Sequence, residues 1–161
     1  MPPKITPNLW FDTEAEEAAG FYVSVFARGS RVVNLTRYPE GSPGPAGTVM
    51  TVEFELAGQR FVAINGGPEF TLDEAVSLEI SCETQEEVDY FWERLSEGGE
   101  QRQCGWLKDR YGLSWQVVPT GMEEVFADSD PQRAQRAMQA MLGMGKLDIA
   151  ALRRAADGPV T

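Results

Sequence analysis

Seventy residues separate two copies of one helical pattern, and that repetition constrains the fold of this chain more than any other feature. Ala18, Phe21, Tyr22 and Val25 recur in type and spacing as Val88, Phe91, Trp92 and Leu95, and Glu16-Glu17 recur as Glu86-Glu87. Such a coincidence points to an internal duplication, so the same order of elements is expected twice.

Around the first copy, Ile5 to Trp10 reads as a short strand stopped by Asp12-Thr13. Thr13 and Glu16 have capping-box spacing, in which hydroxyl and carboxylate satisfy free N–H groups at a helix start, and Gly29 suits the stop. Arg31 to Tyr38 is rich in β-formers, and the Pro39–Gly47 stretch PEGSPGPAG cannot hold regular structure. Met50, Val52, Phe54 and Leu56 then alternate with Thr51, Glu53 and Glu55, which is a strand with one buried face. Ala57-Gly58 turns the chain tightly into a strand over Gln59 to Asn65, ended by Gly66-Gly67-Pro68. The order is strand, helix, three strands.

The second copy follows the same plan with less chain. Val76 to Cys82 is the strand, Thr84 and Glu87 repeat the capping box, and Gln85 to Leu95 is the helix, closed by Gly98-Gly99. Gln101 to Trp106, Lys108 to Tyr111 and Ser114 to Val118 are three short strand candidates, one of them vestigial or merged with its neighbour, with Gly112 ending the middle one. After Pro119 the composition turns to Ala, Met, Arg and Gln, with Asp130-Pro131 as N-cap and first helical residue. Ala134, Ala137, Met138, Met141 and Leu142 form an apolar stripe, and Leu147 to Ala156 reads as a further helix. The expected fold is α+β: a tandem βαβββ domain over residues 1–121, with units of about 1–68 and 69–121, followed by a C-terminal helical extension over 122–161.

Composition narrows the chemistry. The chain contains no histidine, which removes Ser-His-Asp and Cys-His catalysis and every imidazole metal ligand. A net charge of -11 repels nucleic acid and anionic membranes. Cys82 and Cys104 are too few for a disulfide scaffold and are read as reduced thiols. No apolar run reaches the length of a membrane span, and MPPKITPNLW lacks the layout of a secretory signal, so a soluble, cytoplasmic protein is expected.

Four segments carry a resemblance: LWFDTEAEEAAGFYVSVF from Leu9, FVAINGGPEF from Phe61, ETQEEVDYFWERLSEGG from Glu83 and CGWLKDRYGLSWQVVP from Cys104. With the tandem unit order, they resemble the vicinal oxygen chelate superfamily of glyoxalases, extradiol dioxygenases and bleomycin-resistance proteins, in its PhnB-like branch. Members of that branch often carry the label 3-demethylubiquinone-9 3-methyltransferase. A Rossmann-type methyltransferase needs a glycine-rich turn from strand to helix, whereas Gly66-Gly67-Pro68 leads through Glu69-Phe70-Thr71 to another strand, so methyl transfer is disfavoured.

The resemblance implies that each unit curls its strands into a cup, within a curled mixed sheet, with helices outside and a ligand or metal inside. Leu78, Ile80 and Cys82 then meet the helices while Ser77, Glu79 and Ser81 face the cup; a merely solvated face is the bland alternative. Metal-using members place His and Glu ligands on the first and last strands of each unit. Here Gln116 stands where they carry Glu, and Thr6, Asn8 and Ser77 are the polar residues of the first strands, so neither metal nor other cofactor is expected. Trp10, Trp106 and Trp115 are aromatic candidates for stacking or for core, with Trp106 preferred. The ligand-binding candidates are Asn8, Trp10, Ser77, Glu79, Ser81, Trp106 and Gln116, and Glu53 and Glu79 are the candidate catalytic carboxylates. Cys104 lacks a neighbouring base and reads as inert, Lys108-Asp109-Arg110 as a solvated charged turn, and the Pro39–Gly47 loop as a lid or an ordinary connection. Three functions follow: a metal-independent small-molecule-binding homodimer, an enzyme using a cup carboxylate with or without a divalent metal, or a module that binds a partner through its C-terminal helices.

Overall fold

The computed structural model describes residues 3–159. Both repeated helices form, and they keep the seventy-residue offset: α1 spans Ala15–Phe26 and α2 spans Gln85–Ser96. By its contacts the chain divides into two units, the first ending at Leu72 and the second starting at Asp73.

In the first unit, β1 (Asn8–Phe11) precedes α1, and β2 (Arg31–Arg37), β3 (Val49–Leu56) and β4 (Gln59–Asn65) follow it. They form an open mixed sheet in the order β1-β4-β3-β2, with β1 parallel to β4 and the other pairs antiparallel. Alternation decides which side is buried. Val52 and Phe54 on β3 stand in register with Ala63 and Phe61 on β4, all four are buried, and α1 packs over these two strands. Tyr22 of α1 stacks on Phe54 at 6.3 Å, and Phe54 on Phe61 at 5.5 Å. Thr51, Glu53 and Glu55 therefore occupy the opposite, polar face.

The second unit repeats this topology. Its strands β5 (Ser77–Cys82), β6 (Glu100–Gln101), β7 (Trp106–Lys108) and β8 (Ser114–Pro119) take the order β5-β8-β7-β6, again with the first and last strands parallel. Three strands survive after α2, so none is merged, but β6 and β7 shrink to 2 and 3 residues. The expected strand over Lys108 to Tyr111 is a correction: β7 begins at Trp106 and ends at Lys108, and Asp109–Gly112 is a turn closed by the Gly112 N–H bond to the Asp109 carbonyl at 3.0 Å.

The two helix starts differ. Thr84 caps α2, its hydroxyl accepting from the Glu87 N–H at 3.2 Å while the Glu87 carboxylate accepts from the Glu83 N–H at 2.7 Å. The Thr13–Glu16 box does not form, because the offset from Thr84 falls on Glu14, and Glu14 is the N-cap of α1 with no side-chain capping bond. The free Ala15 N–H is satisfied from far away, by Asn65 Oδ1 at 2.8 Å.

Helices α3 (Met122–Phe126), α4 (Pro131–Leu142) and α5 (Ile149–Asp157) close the chain, and α3 is a short helix that periodicity did not mark. Asp130 caps α4 as expected, accepting from the Gln132 N–H at 2.9 Å. Val125, Ala137 and Ala156 form their small core, with Phe126 and Ile149 against it. Of the expected stripe, Met138 and Leu142 are exposed. The 144–149 connection is stitched into the second unit. Cys104 and Gly105 donate to the carbonyls of Met144 and Gly145 at 2.8 Å each, Gln85 bonds Leu147 and Ile149, and Lys146 pairs with Asp89 at 2.7 Å. Among the described residues, no helix is long and apolar enough to cross a membrane.

Candidate functional site

Strand register assigns the candidate residues to two polar sheet faces, one in each unit. On the second sheet, Gln116 of β8 stands beside Glu79 of β5 and Trp106 of β7, while Ser114 stands beside Ser77 and Lys108. Trp115 and Val117, between them on β8, are buried on the α2 side. Ser77, Glu79, Ser81, Trp106 and Gln116 thus share one face, joined by Lys108. Gln116 Nε2 donates to Ser77 Oγ at 2.9 Å, tying the first and last strands together. Ser114 Oγ is buried with no hydrogen-bond partner among the described residues. Glu79 and Ser81 are exposed, and Lys108 is held by Glu74 at 3.1 Å.

On the first sheet, Asn8 and Trp10 of β1 stand in register with Val62 and Ile64 of β4, and these with Glu53 and Thr51 of β3. Asn8 donates back to its own strand, to the Thr6 carbonyl at 2.9 Å. Glu53 is ion-paired with Arg60. Trp10 is anchored rather than open: its Nε1 donates to the Gly67 carbonyl at 2.9 Å, Phe70 meets it edge-on at 5.0 Å, and a methyl added at Gly66 would overlap its ring. The two candidate carboxylates lie on different sheets, Glu53 on the first and Glu79 on the second.

Three further readings can be placed. Trp115 is core, 2 % exposed. Asp109 is a correction to the solvated turn: it is 3 % exposed, its Oδ1 accepts from the N–H groups of Tyr111 and Leu113, and its Oδ2 accepts from Trp115 Nε1 at 2.8 Å. Both cysteines are free. Burial, with a smaller contribution from Glu87, pushes the Cys82 thiol up to about 12, and the half-buried Cys104 Sγ donates to the Met141 carbonyl at 3.6 Å.

One cavity in the first unit contains none of the ligand-binding candidates. It measures about 440 Å³ and lies where the 39–47 loop passes the ends of β1 and β4 and the start of α1. Asn65 ties its walls together: Oδ1 accepts from Ala15 N–H, Nδ2 donates to the Val49 carbonyl at 3.1 Å, and its own carbonyl accepts from the Tyr38 hydroxyl. Sequence reading singled out the loop but not Asn65, whose role spans 50 residues to Ala15 and 27 to Tyr38.

The chemistry of the donors decides whether a metal fits. In the first unit, β4 presents Arg60, Val62 and Ile64 on the polar face, none of them a metal ligand; in the second, the matching strand presents Gln116, already bonded to Ser77. Among the described residues, no three His, Cys, Asp or Glu side chains are grouped to hold an ion. The residues do not fit the metal centre of the metal-using superfamily members.

Two βαβββ units of the same strand order, each with one helix-covered and one polar sheet face, define a protein of the vicinal oxygen chelate fold. More particularly, the chain belongs to the family described as 3-demethylubiquinone-9 3-methyltransferase, whose family model matches residues 3–118. It is similar to the solved PhnB protein from Bacillus cereus that carries the same methyltransferase label, with 39% identity over 73% of this chain and 100% of that one, TM-score 0.67. The fold is shared with protein PA1353 from Pseudomonas aeruginosa (20% identity, 73% and 97% covered, TM-score 0.60). It is also shared with the fosfomycin resistance protein FosX from Listeria monocytogenes, solved with Mn(II) and sulfate (16% identity, 77% and 97% covered, TM-score 0.55). No curated protein matches this chain.

Proposed function

We propose that this chain is a small-molecule-binding protein of the vicinal oxygen chelate fold that works without a metal ion and assembles as a homodimer. The observation that carries it is the Gln116–Ser77 hydrogen bond. It joins side chains of the first and last strands of the second unit, where metal-using relatives of this fold place charged or imidazole ligands. A neutral amide bonded to a hydroxyl recognises polar groups of an organic ligand and offers a divalent cation little. Trp106, Lys108 and Glu79 on the same face add an aromatic surface and both signs of charge.

The methyltransferase label finds no support in the glycines after β4, since residues 66–76 run to β5 without forming a helix. Glu53 is tied to Arg60 by an ion pair and Glu79 is exposed on the second sheet, so neither carboxylate is assigned a reaction. Edge strand β2 supports the dimer: Val32 and Val33 are exposed on it, and open apolar edges invite pairing. Native mass spectrometry tests all three parts together. The expected result is a dimer free of divalent ions that retains or takes up an organic molecule; a stoichiometric divalent ion, or a monomer at micromolar concentration, would sink the corresponding part.

A further inference from the structure

The cavity beneath the 39–47 loop offers recognition of a definite kind, and we propose that it binds an organic cation: a protonated amine on a small apolar or aromatic body. The inference does not rest on the reading of the second sheet. At about 440 Å³ the space suits a small organic molecule, within the range of roughly 300–1,000 Å³ usual for such sites. One wall is apolar, made by Tyr38, Pro43, Pro45 and Val49. Gly44 lies so close to the Tyr38 ring that any side chain there would overlap it, which fixes the loop against the tyrosine.

The lining is also acidic. Asp12, just after β1, and Glu16, in the first turn of α1, bring two carboxylates to the lining, which contains no Lys or Arg. Neither carboxylate has an ion-pair partner among the described residues, unlike Glu53, Glu55, Glu74 and Asp89 elsewhere in the chain. Asn65 spends its side-chain amide and its carbonyl holding the walls together, so it shapes the space and leaves recognition to the carboxylates.

A lining that combines apolar surface with two carboxylates lacking an ion-pair partner complements an ammonium group on a hydrocarbon body and repels carboxylates and phosphates. A bare metal ion is a poorer occupant, because among the described residues no third His, Cys, Asp or Glu joins Asp12 and Glu16 and the apolar lining would go unused. The net charge of -11 adds a field that draws cations toward the molecule.

The test uses the full chain and three probes of one shape: phenethylammonium, the neutral phenethyl alcohol and the anionic 3-phenylpropionate. Titration followed by amide chemical shifts is expected to move Asp12, Thr13, Gly66 and Gly67 with phenethylammonium. Binding is expected to weaken about tenfold in D12N/E16Q and to fall with added salt. Both side chains are exposed, and a dispersed amide spectrum verifies that the double variant folds. Three results would each overturn the proposal: no shift at those amides in millimolar phenethylammonium, equal binding of the alcohol, or unchanged affinity in D12N/E16Q. Shifts confined to Ser77, Trp106 and Gln116 would also overturn it while supporting the binding face of the second sheet.

Discussion

The two units share one strand order and reach it by different means. In the first, β2, β3 and β4 run 7, 8 and 7 residues, and their backbone ladders hold the sheet. In the second, β6 and β7 have 2 and 3 residues, too few for ladders alone, and side chains and a neighbouring backbone segment add support. Asp109 organises the β7–β8 turn from inside the core, Gln116 ties β8 to β5, and the 144–149 connection is bonded to the 104–105 backbone. Repeated sequence therefore preserves topology while leaving each copy free to find its own stabilisation, and a lost ladder is offset by buried polar groups.

The largest effect should come from removing the group on which the second unit most depends. Asp109→Ala leaves two backbone N–H groups and the Trp115 indole N–H without their acceptor, at an expected cost of about 3–5 kcal/mol. Glu53→Ala, which removes a carboxylate from a part-exposed ion pair in the first unit, should cost about 1 kcal/mol or less. Urea melts of the two variants give both numbers, and similar costs would break the contrast between the units.

Capping gives the next largest difference. Thr84→Ala should cost about 1 kcal/mol because a hydroxyl-to-N–H bond is lost, whereas Thr13→Ala should lie within about 0.5 kcal/mol of wild type because Thr13 sits one residue before the N-cap. Equal losses would show that Thr13 caps α1 in solution.

A gain is expected at the β3–β4 hairpin. Ala57 and Gly58 both take positive φ, at 47° and 85°, a two-residue turn that favours Asn-Gly over Ala-Gly. Ala57→Asn should raise stability by about 0.5 kcal/mol, read as a shift in midpoint. The second unit has no two-residue turn to improve in this way, since its β7–β8 connection is built on Asp109.

The smallest effect concerns acid. Glu74, Asp89 and Asp128 have carboxyls held below their ordinary values, Glu74 chiefly by its Lys108 bond, Asp89 by Lys146, and Asp128 by the Asp130 N–H and then Arg133. All three lie in the second unit. Their stabilisation is present in full above the ordinary values of 4.5 for Glu and 3.8 for Asp, and it is lost as pH falls through the lower folded-state values. All three are solvent-screened, so the loss is modest. Hydrogen exchange between pH 5 and pH 3 should show protection declining first at Cys104 and Gly105, the residues bonded to the 144–149 connection, and later in β3 and β4. The reverse order would contradict the assignment of these ion pairs to the second unit's stability.

How much of this was legible beforehand depended on the range of the interaction. The alternation of Val52, Phe54 and Leu56 identified β3 and its buried face, and Gln59–Asn65 was placed as a strand with its observed bounds, because side-chain periodicity is a local property. The polar face of Ser77, Glu79 and Ser81 was readable for the same reason. Lys108 to Tyr111 was misread because β-forming residues say nothing about whether a neighbouring strand is there to pair, and Asp109 because a charged residue between two others looks solvated until its three donors are known.

By itself, the sequence determined the duplication, the positions of α1, α2, α4 and α5, the strand faces and the absence of imidazole, since each follows from residue type and short-range spacing. Tertiary structure alone decided that Asn65 would cap α1 in place of Thr13, that Asp109 would be buried, and that a cavity lined in part by Asp12 and Glu16 would form beside the proline-rich loop. Each of these depends on groups tens of residues apart meeting at hydrogen-bond distance, and such meetings are set by the packing of whole elements rather than by any local pattern.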